Sequence, residues 1–255
     1  AGVLVTAFGL IPFLTNYTAV LLVALTLALL SLALAIWPPA KFPSRGAVVA
    51  TAVAAAAGAG LLMWQADAYT GRLGPVEYAG ERWRVEATLG SLFGTVKILR
   101  SEPDPRSGRY QRIYFHDGMT QNTVDSGGAS LSFYTYALEG LARAYRPDMK
   151  HVLALGLGAG IVPTRLAEQG AAVDVVEINP VSLEVAQRYF GYDSARARTH
   201  ITDARTFVRD CPRQYDVIVV DLFQGDGTPE YLVTREFFRD LRRCMTADGV
   251  AVFNT

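Results

Sequence analysis

Acidic residues are absent from the first 66 positions of this 255-residue chain, and only Lys41 and Arg45 carry charge there. A water-exposed domain needs charged surface, so this stretch is not expected to fold as an ordinary soluble module. Cysteine is scarce as well. Cys211 and Cys244 are too few for a disulfide scaffold, and with His116, His151 and His200 scattered singly they give no zinc-ligand spacing. A reduced, metal-free protein is expected. An excess of basic charge is also missing: 24 Lys+Arg balance 24 Asp+Glu, which argues against nucleic-acid binding through a strongly basic surface. Disorder is excluded by the 51% hydrophobic content.

Residues Thr18 to Trp37, TAVLLVALTLALLSLALAIW, form a run of twenty without charge. As a helix that run is about 30 Å long at roughly 1.5 Å per residue, enough to cross a bilayer. Trp37 with Pro38 and Pro39 supplies an interfacial aromatic and a helix stop before the polar turn that holds Lys41 and Arg45. A second uncharged run, AVVATAVAAAAGAGLLM from Ala47, is rich in small residues that suit close helix packing, with Met63 and Trp64 at its interfacial end. The predicted spans are about 18–37 and 47–64, within a transmembrane segment 1–66 in contact with lipid. A signal peptide fits poorly, because the first run is too long and lacks a basic start. The apolar opening AGVLVTAFGLIPFL reads as the tail of an earlier span, so further helices are expected upstream in a multi-pass inner or plasma membrane protein. Positive charges flank both spans and do not choose a side.

Residues 67–88 are punctuated by Gly71, Gly74, Pro75 and Gly80 and read as a linker with a lead-in strand. A small β-rich domain with a connecting helix is expected over 89–148. TVKILR (95–100) and RIYF (112–115) form a hairpin, Asp117-Gly118 turns into TQNTVD, and Ser130 to Ala144 is helical, with Leu131, Tyr134, Leu138 and Leu141 at spacing three or four. From 149 to 255 short apolar runs alternate with helical ones, the pattern of a doubly wound parallel α/β sheet. The strands are HVLALGL, AVDVVEI, THIT, YDVIVVDL and GVAVFNT, and the sixth and seventh strands of such a fold are expected beyond residue 255.

The first of these strands runs into Gly156, Gly158 and Gly160, where the backbone must turn tightly and approach a ligand without Cβ obstruction. Glu177 ends the next strand, 21 residues after Gly156, where a carboxylate can accept both hydroxyls of a ribose. Asp203 follows the third strand and can accept from an adenine amino group. Together they point to a nucleoside-type cofactor, against the alternative of a tight turn with a surface glutamate. Asp221 ends the fourth strand at the switch point where strand order reverses, and a carboxylate there can orient and deprotonate an amine. The alternative is a helix cap or solvated strand end. Asp216 precedes the apolar part of that strand and reads as structural, His116 as a turn residue, and Arg235, Arg239, Arg242 and Arg243 as a solvated helix face.

From about Ser91 the runs LGSLFGTVKI, IYFHDGMTQNTVD, SFYTYAL, LALGLGAG, VVEINP, TDARTFV and YDVIVVDLF follow the order and spacing of the spermidine/spermine synthase family, over about 165 of the 255 residues. The chain resembles that family, especially its membrane-fused bacterial members. The resemblance implies a small N-terminal β-domain on a class I methyltransferase-like Rossmann domain. It also implies transfer of an aminopropyl group from decarboxylated S-adenosylmethionine to an amine in polyamine biosynthesis, without a metal, by a usually dimeric enzyme. On this footing Glu177 holds the ribose, Asp203 and Ala204 meet the adenine, Asp221 assists the amine, and Gln121 and Tyr134 line the pocket on its cofactor and substrate sides. Two positions depart from the family pattern. Ala159 stands in the glycine loop where the family has an aspartate for the donor's amine, and Gln224 replaces a second aspartate after the fourth strand, with Asp226 as its nearest substitute.

Three functions follow: a membrane-anchored aminopropyltransferase, an S-adenosylmethionine-dependent methyltransferase on the same scaffold, and a nucleoside-binding membrane sensor without turnover. Ala159 favours the second, because a carboxylated donor meets no aspartate in the loop. A donor made in the cytosol places the soluble domain on the cytoplasmic side.

Overall fold

The computed structural model describes residues 14, 16–37, 44–65, 75–78, 80–223 and 227–254. Lys41, Arg72, Gln224 and Asp226 lie outside the described residues, and with them the expectation that Gln224 and Asp226 contact substrate. The chain divides into two compact units, Ala1–Pro75 and Val76–Thr255.

The first unit holds two helices, α1 (Asn16–Ile36) and α2 (Arg45–Trp64), packed against each other. Both are long and apolar enough to cross a membrane. Their buried residues are Ala28 and Ala35 in α1 and Ala52 and Ala59 in α2, spaced by seven in each helix, so methyl groups form the seam and the backbones approach closely. Larger side chains such as Leu27, Leu30, Leu34 and Leu61 point outward. The few hydroxyls are neutralised locally: Thr26, Ser31 and Thr51 each donate to the carbonyl four residues earlier.

The second unit opens with a five-stranded antiparallel meander, β1 (Val76–Tyr78), β2 (Glu81–Ser91), β3 (Gly94–Ser101), β4 (Gln111–His116) and β5 (Met119–Asp125), in sequential order. The first two strands occupy much of the stretch read as linker and lead-in strand. Strand β2 alternates apolar and polar residues from Trp83 to Leu89, a period-two pattern that the linker reading passed over. Asp117 and Gly118 both take positive φ, the twist that a two-residue hairpin requires. Asp117 is held there by accepting from the Thr95 amide at 2.8 Å.

The parallel sheet follows with the order β10-β9-β6-β7-β8. Its strands are β6 (His151–Leu155), β7 (Ala172–Glu177), β8 (Ala197–Ile201), β9 (Tyr215–Val220) and β10 (Met245–Phe253). Helix α3 (Phe133–Tyr145) leads in, and α4 (Ile161–Glu168), α5 (Pro180–Phe190), α6 (Ala204–Arg209) and α7 (Arg235–Arg243) make the crossovers. Alternate residues of β6 serve opposite layers. Val152 and Ala154 join Leu138, Ala142, Val162 and Leu166 on one face, while Leu153 and Leu155 join Ala204, Val208, Phe237 and Leu241 on the other. The meander closes over a third layer, with Val96, Ile98, Tyr114 and Val124 packed on Val185 of α5 and on Ala159. Asp216 accepts from the Lys150 and His151 amides, a structural role as expected. Arg235, Arg239, Arg242 and Arg243 are exposed.

The cysteines correct one expectation. Cys211 and Cys244 are joined in a disulfide with their Cα atoms 5.7 Å apart, rather than reduced. Cys211 lies just past α6 and Cys244 caps the end of α7, and the two helices lie side by side on one face of the sheet, so residues 33 apart in sequence become neighbours. Nothing in their spacing signals that pairing.

Phe237 is fully buried at the centre of the α6/α7 layer. Phe237→Ala is expected to lower the stability of the second unit by about 3–5 kcal/mol. Urea unfolding of the full chain, monitored by far-UV circular dichroism, measures the shift.

Candidate active site

Parallel register brings the chemistry to one edge. Leu155 pairs with Val176 on one side and Val220 on the other, so the next residues, Gly156, Glu177 and Asp221, stand abreast where the three strands end. Glu177 pairs with Ile201, which puts Thr202 and Asp203 one step further along, and Phe253 pairs with Val220, which puts Asn254 beside Asp221. At Gly156 (φ +95°) a Cβ would overlap the carbonyl oxygen of Asp221, so the turn at the head of the glycine loop admits no side chain.

These residues face a cavity of about 230 Å³ between the strand ends and the meander. Of the residues anticipated from sequence, Gln121, Tyr134, Gly156, Gly158, Glu177, Asp203, Ala204 and Asp221 all line it. Gly160 is not among the lining residues; its positive φ and its contact with the Tyr192 ring give it a turn-forming place instead. Ala159 packs into the layer under the meander.

Glu177 is held by two backbone amides: Leu157 donates to Oε2 at 3.0 Å and Asn179 to Oε1 at 2.8 Å. Each oxygen keeps a lone pair for the cavity, the arrangement a vicinal diol needs. Burial pushes the Glu177 carboxyl up, and those amides together with the nearby His116 pull it back without cancelling the rise. Asp203 caps α6, with Thr206 N donating to Oδ1 at 2.8 Å, which leaves Oδ2 toward Tyr231 and the cavity. Among the described residues, Asp221 is held by a single side chain: Asn254 Nδ2 donates to Oδ1 at 2.8 Å. Burial raises its proton affinity and that one hydrogen bond opposes the rise only in part. Burial also raises Tyr134, and the charge of Asp221 adds to the effect, so this phenol stays protonated.

Sequence reasoning did not anticipate several lining residues. His116 is not a surface turn residue: it ends β4 with Nε2 bonded to the Phe93 carbonyl at 2.9 Å, and both residues line the cavity. Tyr114 bonds Ser182 at 2.9 Å across to α5. Asn179 was readable as a helix cap, since Asn-Pro opens α5 and its side chain accepts from Val181 N. Tyr231 and Asn254 carry no local signal, because only the fold delivers them.

Cavity, glycine turn and two half-buried acidic strand ends converge on the α/β half of the chain. Residues 131–255 match the spermine/spermidine synthase domain family. The likeness to that family lies in residues 131–255, which hold the parallel sheet. Among curated relatives of this synthase domain, a polyamine aminopropyltransferase of Vibrio vulnificus is 38% identical over 117 residues, 44% of this chain and 39% of the relative. An N-terminal histidine N-methyltransferase of Emericella nidulans is also 38% identical, over 109 residues, 41% of this chain and 19% of the relative. The chain thus spans about two fifths of the aminopropyltransferase's length. Among solved structures, spermidine synthase from Thermotoga maritima superposes with TM-score 0.54 at 22% identity, covering 71% of this chain and 65% of the other. A spermidine synthase in complex with the transition-state analogue AdoDATO gives TM-score 0.54 at 23% identity, over 66% and 57%. These structures share the synthase domain's Rossmann-like methyltransferase fold with its N-terminal antiparallel sheet.

The raised proton affinities set a pH dependence. A carboxyl that binds its proton more tightly when folded weakens the fold as pH rises above the unfolded carboxylate range of about 4, with the full loss reached above its folded pKa. Asp221→Asn keeps the acceptor for Asn254 and removes the charge. The variant is therefore expected to melt at a higher temperature than the parent, with a difference that grows between pH 4 and pH 8. Thermal melts across that range check it, and a difference independent of pH refutes it.

Proposed function

We propose that this chain is a membrane-anchored transferase that moves an aminopropyl group from decarboxylated S-adenosylmethionine to an amine, with α1 and α2 crossing the bilayer. The observation that carries the reading is the row Gly156, Glu177 and Asp221 at one strand edge, with Asp203 one strand further on, inside a domain of this family. Glu177 accepts the two ribose hydroxyls, Asp203 accepts from the adenine amino group, Ala204 packs on the base, and Gly156 and Gly158 let the sulfur approach the loop backbone. Asp221 receives the amine. The amine nitrogen attacks the carbon next to the sulfonium, the C–S bond breaks with its electron pair going to sulfur, and the proton released from nitrogen passes to Asp221. Burial makes Asp221 a stronger base than an ordinary carboxylate, which suits that task. Much of the acceleration then comes from holding amine and carbon in line.

The similarity to a histidine N-methyltransferase and the alanine at 159 support a second reading, methyl transfer from S-adenosylmethionine in the same cavity. A cytosolic donor supports placing the second unit on the cytoplasmic face, as a homodimer in keeping with the family resemblance. The disulfide of this structure is unusual for that compartment.

Calorimetric titration of the detergent-solubilised chain with S-adenosylmethionine, its decarboxylated form and methylthioadenosine separates the readings. The decarboxylated donor is expected to bind most tightly. Glu177→Gln is expected to weaken all three, about tenfold or more, through loss of a charged acceptor. Asp221→Asn is expected to leave methylthioadenosine binding within a few-fold while lowering turnover by about 10²–10⁴. Tighter binding of the carboxylated donor assigns the methyltransferase, and failure of all three to bind refutes both enzymes.

A further inference from the structure

Near the end of α6, the carbonyl of Val208 lacks its helical partner. Val208 is 1% exposed, and the amide that would close its helical bond belongs to residue 212, a proline, which has none. A buried carbonyl needs a donor from elsewhere. The atom standing against it is Cys244 Sγ, 3.2 Å from the Val208 oxygen. In the disulfide with Cys211 that sulfur has no hydrogen to give, whereas as a thiol it donates one. The fold thus keeps a bonded place for the reduced form of a cysteine that it shows oxidised.

The pair sits behind the cavity. Cys244 is fully buried and Cys211 half-buried, both in the layer that holds Ala204, Leu222, Leu232 and Phe237. Ala204, Leu222 and Leu232 also line the cavity, so the layer packed around the sulfurs is the back of the cavity wall. The bond joins residues 33 apart, and the loop it closes carries β9, Asp221, the 3-10 turn Glu230–Leu232 and α7. At the cavity end, hydrogen bonds join α6 to that loop: Arg205 Nη1 donates to the Tyr231 carbonyl at 2.8 Å, and the Tyr231 hydroxyl to Asp203 Oδ2 at 3.5 Å. Both are exposed and exchange with water. The sulfur bridge at the far end is the tie that water cannot replace.

We propose that Cys211 and Cys244 form a reversible redox pair that sets the affinity of the cavity for its nucleoside, high when oxidised and lower when reduced. The inference rests on the nucleoside reading above. On the cytoplasmic side a lasting disulfide is unusual, and one that opens and closes is the commoner kind. The reductant is a dithiol. One of its thiolates attacks the half-buried Cys211 Sγ, and the S–S bond breaks with its electron pair on Cys244 Sγ, which takes up a proton and shares it with the Val208 carbonyl. The second thiolate of the dithiol then attacks the first sulfur, closes a cyclic disulfide and releases Cys211 Sγ, which is protonated in turn. Two electrons and two protons have passed to the protein. Reduced, α6 and α7 are joined at this end by packing and one S–H···O bond, and a ligand must order a looser wall as it binds.

Titrating the detergent-solubilised full chain with methylthioadenosine, before and after dithiothreitol, tests this, with free thiols counted by alkylation and mass spectrometry. Under native conditions dithiothreitol is expected to free both cysteines and to raise the Kd at least about threefold. The melting temperature is expected to fall by roughly 5–15 °C, as suits the opening of a loop of this size. Replacing dithiothreitol by oxidised glutathione is expected to restore the first Kd. Cys211→Ser leaves the Cys244 thiol to serve Val208, and is expected to bind as the reduced parent does, with or without dithiothreitol. Cysteines that are free before reduction, or that resist native dithiothreitol, overturn the redox pair. Methylthioadenosine failing to bind either form refutes the nucleoside reading itself, and this inference with it, whereas equal binding to the oxidised and reduced forms refutes the switch alone.

Discussion

At Gly156 the end of β6 comes so close to β9 that a side chain would occupy the carbonyl oxygen of Asp221. Everything at the site depends on that approach. Because the two strands meet there without a Cβ between them, Leu155 stays in register with both Val176 and Val220, and the three residues that follow are delivered to one edge. A shift by one residue on any strand would turn a carboxylate into the core and an aliphatic side chain into the cavity. The apolar runs of β6, β7 and β9, buried on both faces, are what make such a shift costly.

The same burial that fixes register makes the acidic groups reactive. Glu177 and Asp221 are withdrawn from water, yet they are compensated unequally. Glu177 receives two backbone amides, a rigid cradle that favours its charged form and suits a binding role. Asp221 receives one side-chain amide among the described residues, and burial raises its proton affinity. Two carboxylates of similar position thus differ in the number and kind of N–H groups that reach them.

Much of this was legible in the chain. Strand-glycine-helix followed by an acid at the end of the next strand places Gly156 and Glu177, because both depend on local backbone and on the period of a parallel sheet. Asp203 and Asp221 follow from the same logic, one per strand end. What stayed hidden depends on long-range packing. The linker reading over 67–88 passed over the apolar alternation of Trp83, Val85, Ala87 and Leu89 in β2, and His116 looks like turn chemistry until β4 is laid over the cavity. The Cys211–Cys244 bond requires α6 and α7 to be adjacent. Asn122 is read as one polar residue in TQNTVD, and only the fold shows that its amide nitrogen meets Tyr134 while its oxygen has no partner among the described residues.

Asn254 lies one residue past β10 and, among the described residues, is the sole side chain that donates to Asp221, 33 positions earlier. The carboxylate at the end of β9 is consequently unoriented until the last strand of the described sheet has docked beside it. The orientation of that carboxylate is thus tied to the pairing of β10 with β9, two strands whose last residues lie 33 positions apart in the chain.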